Sequence, residues 1–426
     1  MLLDGGDAEW TAEIESLGAV GIRLDLREGS MQAFFSLPFP ASLPPAPLHL
    51  VTESSSTPVE EDESEGIARL LRTLVETTAS DLHISADSTP MIRHDGEMKP
   101  VPGYGKLSGE DVRRLVWPIV PPVNRDEFNE TQDTDFAWEI AGVSRFRANL
   151  FADRKGVGAV FRVIPSKILT AEEMGLSKQI LDLCFLTKGL VLVTGPTGSG
   201  KSTTLTAMVD YINRHRSDHI ITIEDPIEFV HENQKSLVNQ REIGTHTSGF
   251  KRALRAALRE DPDVVLVGEM RDLETVAIAI ETAETGHLVF GTLHTSSAAS
   301  TVDRIIDQFP AGQQSQIRTM LASSLKGVIS QTLCRKTGGG RVPALEVMIV
   351  TPSISNLIRE SKVFQIPTVM QTSRKFGMCL MNESLLDLVR RGIVEPKEAW
   401  TRAGDKPGLI SQFRGAGIDT SWYVED

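Results

Sequence analysis

The sequence predicts an α/β domain built on a mostly parallel sheet, preceded by a smaller α+β domain. Three observations predict this fold class. Apolar runs of strand length at 189–194, 219–223, 264–268 and 287–292 alternate with helix-compatible segments, the pattern of a parallel sheet covered by helices. Ahead of them, apolar residues at Ile67, Leu70, Leu71, Leu74 and Val75 mark an amphipathic helix, followed by short strand-like runs. The 426 residues are 40% hydrophobic, enough for more than one core.

From the N-terminus, residues 1–50 read as an extension carrying a possible small β module. Gly21-Ile-Arg-Leu-Asp-Leu26 and Met31-Gln-Ala-Phe-Phe-Ser-Leu37 flank Arg27-Glu-Gly-Ser30, a hairpin pattern, and the proline-rich stretch Pro38 to Pro47 ends it. Residues 51–65 are acidic and Ser-rich with almost no apolar content, so a flexible linker is expected. The α+β domain is expected over 66–165, with strands at 81–85, 90–93, 134–140, 144–150 and 158–164. A second linker falls at 166–175, and the α/β domain covers 176–415, ahead of a tail over 416–426. Within it, the stretch from Ala344 to about Trp400 reads as largely helical.

Charge and composition exclude several classes. The formal balance of 44 basic and 57 acidic residues is −13, which disfavours a protein that coats nucleic acid. Three widely spaced cysteines, Cys184, Cys334 and Cys379, offer neither a disulfide framework nor paired metal ligands. The absence of a bilayer-length apolar run and of an export signal leads to the expectation of a soluble cytoplasmic protein.

The chemistry concentrates in the α/β domain. Gly195-Pro196-Thr197-Gly198-Ser199-Gly200-Lys201-Ser202 follows the apolar run Gly189–Thr194 and opens a helix at Thr203. Strand, glycine-rich turn and helix is the context of a phosphate-binding loop, in which backbone N–H groups and the helix dipole face a polyphosphate. A nucleoside triphosphate, ATP, is the expected ligand. Lys201 is expected to reach the β- and γ-phosphates, and the Ser202 hydroxyl to hold Mg²⁺.

Asp263-Val-Val-Leu-Val-Gly-Glu-Met-Arg271 is a buried strand ending in a carboxylate, and strand C-termini of a parallel sheet face the ligand crevice. Glu269 is thus expected beside the loop, aligning a water for attack on the γ-phosphorus; an ordinary pairing with Arg271 is the competing reading. A second strand ends in three acids, Glu224, Asp225 and Glu228, which need a cation nearby or solvent. His287 and His294 bracket a further strand, and an imidazole there either senses the γ-phosphate or is a satisfied polar residue. Arg145, Arg147, Arg154 and Arg162 cluster at the end of the α+β domain, suited to phosphate recognition or to a solvated strand face.

Taken together these segments resemble the type IV pilus retraction ATPases, the PilT family within the type II and type IV secretion ATPases. The resemblance covers Ile67 to about Trp400. It rests on Ala79-Ser-Asp-Leu-His-Ile-Ser85, Pro90-Met-Ile-Arg-His-Asp-Gly96, Ser144-Arg-Phe-Arg-Ala-Asn149, Thr222 to His231, Gly268 to Glu274 and Gly286 to Thr295. It implies a PAS-like N-domain joined to a RecA-like P-loop ATPase domain in a homo-hexameric ring, with ATP between the two domains. It further implies that Arg147, Arg154 and Arg162 help close the site, that Glu228 is the acidic-box glutamate and Glu269 the Walker B glutamate, and that His287 and His294 form the His-box pair. The implied partners are an inner-membrane pilus platform protein, with peripheral membrane association through it, and a paralogous motor subunit.

The lack of any CxxC pair favours the retraction branch over the zinc-bearing assembly and secretion ATPases. Ser355-Asn-Leu-Ile-Arg-Glu360 and Gln365-Ile-Pro-Thr-Val-Met-Gln371 match its C-terminal signature, with Ser355 standing where the family motif has arginine. That departure keeps a PilU-like auxiliary motor as an alternative. A RecA-like nucleic-acid translocase is the distant one, opposed by the net acidity and the lack of aromatic–basic interleaving.

Overall fold

Gly189–Thr194, Val264–Val267 and Leu288–Leu293 are buried at every position. Runs with no solvated side are stable only inside a sheet covered on both faces. The structure, a computed structural model, describes residues 8–14, 18–27, 30–36, 65–94, 97–164 and 168–423. The chain divides into two compact units, residues 1–60 and 61–426.

In the first unit, β1 (Ala8–Ile14), β2 (Gly18–Arg27) and β3 (Ser30–Ser36) form an antiparallel sheet in that order. The β2–β3 pairing, Gly21 with Ser36 through Arg27 with Ser30, is the hairpin suggested by the sequence. The proline-rich stretch and acidic linker over 37–64, together with residue 165 and the 166–167 part of the second linker, lie outside the described residues.

The second unit begins with α1 (Glu65–Glu76), β4 (Asp81–Ser85), β5 (Met91–His94), β6 (Glu97–Pro100), α2 (Gly109–Val116) and α3 (Pro122–Thr131). Then come β7 (Asp133–Ile140), β8 (Ser144–Asp153) and β9 (Gly156–Ile164). The six strands form one antiparallel sheet, ordered β6-β5-β4-β9-β8-β7. Its core joins Leu70, Leu71 and Leu74 of α1 to Phe146, Leu150 and Phe161 of the sheet. Period-two alternation follows from that burial: Phe146 and Ala148 point into the core, so Arg145 and Arg147 share the opposite face of β8. Helix α2 starts at a capping box made by Ser108 and Asp111.

The remaining elements are α4 (Lys178–Leu183), β10 (Gly189–Thr194), α5 (Lys201–His215), β11 (His219–Glu224), β12 (Leu237–Glu242), α6 (Phe250–Ala257), β13 (Val264–Val267) and α7 (Leu273–Thr285). After them come β14 (Leu288–Leu293), α8 (Ala298–Asp307), α9 (Ala311–Ser324), β15 (Leu325–Arg335) and β16 (Arg341–Ile349). Helices α10 (Pro352–Arg359), α11 (Ile366–Thr372), α12 (Met381–Arg390), α13 (Pro396–Arg402) and α14 (Lys406–Gly415) complete the unit. The sheet order is β12-β11-β13-β14-β10-β15-β16, parallel throughout except for the last strand. Apolar cores fill both of its faces, one around Met208, Ile212 and Phe290, the other around Val265, Ile280 and Leu321.

One sequence expectation changes here. Ala344–Ile349 belongs to the antiparallel edge strand β16 and not to a helix: it pairs along β15 and sends Val347 into one core and Met348 into the other; Pro343 is tolerated since an edge strand can spare an N–H donor. Within the expected tail, Trp422 and Tyr423 pack on Trp400 with ring centroids 5.8 Å away. Among the described residues no helix is long and apolar enough to cross a membrane.

His231, in the loop between β11 and β12, is 9% exposed and its Nδ1 has no hydrogen-bond partner. Burial pushes its imidazole down to about 4, against the weaker pull of Asp210. A folded pKa below the unfolded value of about 6.5 adds stability that is complete above pH 6.5 and is lost as pH falls toward 4. We therefore expect the unfolding free energy to fall across that interval, and His231→Gln to remove up to about 3 kcal/mol of that fall in denaturant titrations.

Candidate active site

Strand register builds the site. Thr194 of β10 lies beside Leu293 of β14, Val267 of β13 beside Gly291, and Ile223 of β11 beside Val267. The residues just past those ends, Gly195, Glu224, Gly268–Glu269 and His294, therefore emerge in one row at the C-terminal edge of the sheet. Thr292 Oγ1 donates to the Gly268 carbonyl at 2.5 Å and the Gly268 N–H donates to Ile223 O at 2.8 Å, which fixes the row. The row opens on a cavity of about 290 Å³.

The loop 195–200 turns on two glycines pressed against β15. Gly195 has φ +144°, and a Cβ there would sit 2.2 Å from the Gln331 carbonyl oxygen. Gly200 has φ +89°, and its Cβ would meet Gln331 Nε2 at 2.7 Å. Gln331 is 2% exposed. Its Nε2 donates to Ser199 O at 2.7 Å, and its Oε1 accepts from Thr204 Oγ1 of α5 at 2.7 Å, so one amide ties the loop to the helix it opens. Lys201 Nζ donates to the carbonyls of Gly195 and Pro196 at 3.0 and 3.2 Å. Burial lowers the Lys201 pKa, and Glu269 and Glu228 oppose that by favouring its charge.

Opposite the loop, Glu269 Oε1 is held by Arg271 Nε at 2.5 Å and by His294 Nε2 at 2.6 Å. Burial alone would raise the Glu269 carboxyl, but the hydrogen bonds and charges of Arg271 and His294 outweigh it and keep it below the usual carboxylate range. Glu224 behaves in the opposite way: burial raises its pKa despite hydrogen bonds from Thr222 and Gln240, and the neighbouring Glu228 adds to the rise. Two carboxyls at adjacent strand ends are thereby separated by environment, one kept ionised and one pushed toward the neutral acid.

The structure brings together most of the residues singled out from sequence. Thr197, Gly198, Lys201, Ser202, Glu228, Glu269 and His294 line the cavity, and so does Arg147, reaching over from β8. Thr203 lies on the first turn of α5 behind them, Ser199 is buried, and Pro196 faces a second cavity behind the loop. Three residues are placed elsewhere. His287 sits at the start of β14, about 20 Å along the strand from His294 at 3.3 Å per residue, and its Nδ1 is hydrogen-bonded to the Thr282 carbonyl. Arg154 lies in the β8–β9 turn, again about 20 Å of strand from Arg147. Arg162 is opposite Arg147 in register, but its Nε is spent on Asp81 at 2.7 Å. Strand direction carries His287 and Arg154 away from the crevice within this chain, whereas Arg162 stays beside Arg147 and is engaged by Asp81.

Sequence reasoning missed Gln331, because its strand is interrupted by Ser330, Gln331 and Thr332 and shows no clean apolar run. Of these, Gln331 bonds the loop and α5, while the Ser330 hydroxyl pairs with that of Thr194 on β10 at 2.8 Å. Among the described residues no cluster of three or more His, Cys, Asp or Glu side chains is arranged to hold a metal. One hydroxyl, Ser202, fits an ion held chiefly by phosphates and water, as Mg²⁺ is.

A strand–loop–helix phosphate cradle at a sheet edge, faced by an ionised carboxylate, defines a P-loop nucleotide hydrolase. Comparison with known proteins narrows the class. Residues 60–339 match the family model described as Type II/IV secretion system protein. The chain is 53% identical over 337 residues to the Type IV pilus retractation ATPase PilT of Pseudomonas aeruginosa, covering 79% of this chain and 98% of that protein. It is 50% identical over 345 residues to a twitching motility protein of Neisseria gonorrhoeae, covering 80% and 92%. The crystal structure of the pilus retraction motor PilT with bound ADP superposes with a TM-score of 0.77 at 47% identity, covering 81% of this chain and 99% of that one. The chain belongs to the PilT family of pilus retraction ATPases, within the type II/IV secretion system proteins, and is itself an ATPase of that mixed α/β fold.

Each hydrogen bond of Gln331 contributes about 1 kcal/mol net. Gln331→Leu keeps the volume and removes both. We expect it to weaken binding of a fluorescent ADP analogue about tenfold and to lower the thermal midpoint by a few degrees; wild-type affinity in this variant would show that the loop holds its shape without the brace.

Proposed function

We propose that the chain forms a homo-hexameric ring whose ATP turnover drives type IV pilus retraction and twitching motility, acting on an inner-membrane platform protein from the cytoplasmic side. The observation that carries the catalytic part is the Glu269 carboxylate, kept ionised by Arg271 and His294, facing Lys201 across the crevice. The antiparallel unit of β4–β9 serves as the PAS-like N-domain of the ring subunit. The greater identity to the P. aeruginosa PilT, 53%, than to its PilU, 38%, supports the principal retraction motor over the auxiliary one.

In this reading the loop amides and Lys201 bind the triphosphate, and Lys201 exchanges the Gly195 and Pro196 carbonyls for phosphate oxygens. Ser202 would hold Mg²⁺, which would supply further positive charge to the bound phosphates. Glu269 orients a water in line with the γ-phosphorus, and His294 holds that carboxylate in place. Arg147 supplies positive charge from the N-domain side, where charge grows as the terminal bond breaks. Glu228 sits within the same lining and balances Lys201 before nucleotide arrives. Coupling follows: the site is complete only when both parts of the subunit meet over the nucleotide.

Glu269→Gln should lower ATP turnover by about a hundredfold, ~3 kcal/mol of barrier, while nucleotide binding measured by fluorescence stays within twofold. Lys201→Ala should abolish binding itself. Loss of binding in Glu269→Gln would remove the assignment of Glu269 to the chemical step. In cells, deletion of the gene should leave surface pili in place and stop their retraction; bald cells would assign the chain to assembly.

A further inference from the structure

Arg145 Nη2 of β8 is bonded to Glu242 Oε2 of β12 at 2.8 Å, and the two side chains are only 19% and 5% exposed. This ion pair crosses from the antiparallel sheet to the edge strand of the parallel one. Glu242 is not a surface acid that happens to lie nearby. Its Oε2 also accepts the Ile227 N–H at 3.1 Å, and its Oε1 accepts from Thr245 Oγ1 at 3.0 Å. The carboxylate is thus fixed on the turn that carries Asp225 and Glu228 into the nucleotide cavity.

On the other side, Arg145 and Arg147 share one face of β8, two residues and about 6.6 Å apart. Arg147 lines the nucleotide cavity and pairs only loosely with Asp135, Nε to Oδ1 at 3.8 Å. A long exposed guanidinium held this loosely has many rotamers; what sets its reach is where the strand beneath it is anchored. We propose that Arg145 and Glu242 form a closing latch between the two sheets, and that Arg145 is a positioning residue acting through Arg147. Closure forms the pair and delivers Arg147 to the terminal phosphate; opening breaks the pair and withdraws it. The exclusion of water around both partners strengthens the pair when shut.

This inference rests on the assignment of Arg147 to the nucleotide site, so the experiment separates the two. Steady-state ATP turnover and binding of a fluorescent ADP analogue are measured on the full chain for Arg145→Ala, Arg145→Lys, Glu242→Gln, Arg147→Ala and the Arg145→Ala/Arg147→Ala double variant. The latch predicts that Arg145→Ala lowers kcat about tenfold with ADP affinity within twofold, and that Arg145→Lys recovers part of the loss. Glu242→Gln should lower kcat in the same direction. In the Arg147→Ala background, removing Arg145 should cost nothing more. Losses that multiply in the double variant would overturn the latch, since Arg145 would then act independently. So would a wild-type kcat in Arg145→Ala alongside a crippled Arg147→Ala. A silent Arg147→Ala would instead overturn the role of Arg147 in hydrolysis, and the latch with it.

Discussion

The parallel register of β11, β13, β14 and β10 is the constraint from which the site follows. Parallel strands place all of their C-termini at one edge, and here the pairing brings Ile223, Val267, Leu293 and Thr194 to that edge together. A slip of one residue in any strand would turn its side chains to the other face. Register is strongly specified because every residue of β10, β13 and β14 is buried. Close packing of the sheet thus does the positioning that a catalytic crevice requires, well before any polar contact forms.

Charge balance is the second organising fact. Glu224, Asp225, Glu228 and Glu269 converge on a small cavity, which would be untenable without Lys201, Arg271 and Arg147. The cations are not equivalent. Lys201 sits on the loop it serves, Arg271 is exposed and holds one oxygen of Glu269, and Arg147 comes from a separate sheet. Burial of Glu224 further reduces the repulsion by moving that acid toward its neutral form. The protein therefore tolerates a dense set of acids by giving each a different environment.

The same logic extends behind the loop toward the C-terminal helices. Glu346 of β16 accepts the Ala298 N–H of α8 through Oε1 and the Met381 N–H of α12 through Oε2. One buried carboxyl thereby joins the helix that follows His294 to the C-terminal helices. Ser355, where the family motif has arginine, donates to the Ala322 carbonyl at the end of α9, so this departure is absorbed as a local helix–helix contact.

The amino-acid sequence by itself determined the class of fold and the phosphate loop. Both are local: a buried strand, glycines at tight turns and a helix start are encoded within about twenty residues, and Gly195 to Ser202 could be read directly. The acid of Glu269 was legible for the same reason, being the residue that ends an apolar run. What only the tertiary structure decided is which distant side chains arrive there. Gln331 follows the loop by more than a hundred residues in a strand with no apolar signature, and its role exists only because β15 pairs with β10. Arg147 reaches the cavity while Arg154 and His287 do not, since strand direction separates residues that sequence leaves close together. Contacts between separate sheets, such as Arg145 with Glu242, have no local sequence signal, because they are fixed by how completed layers pack.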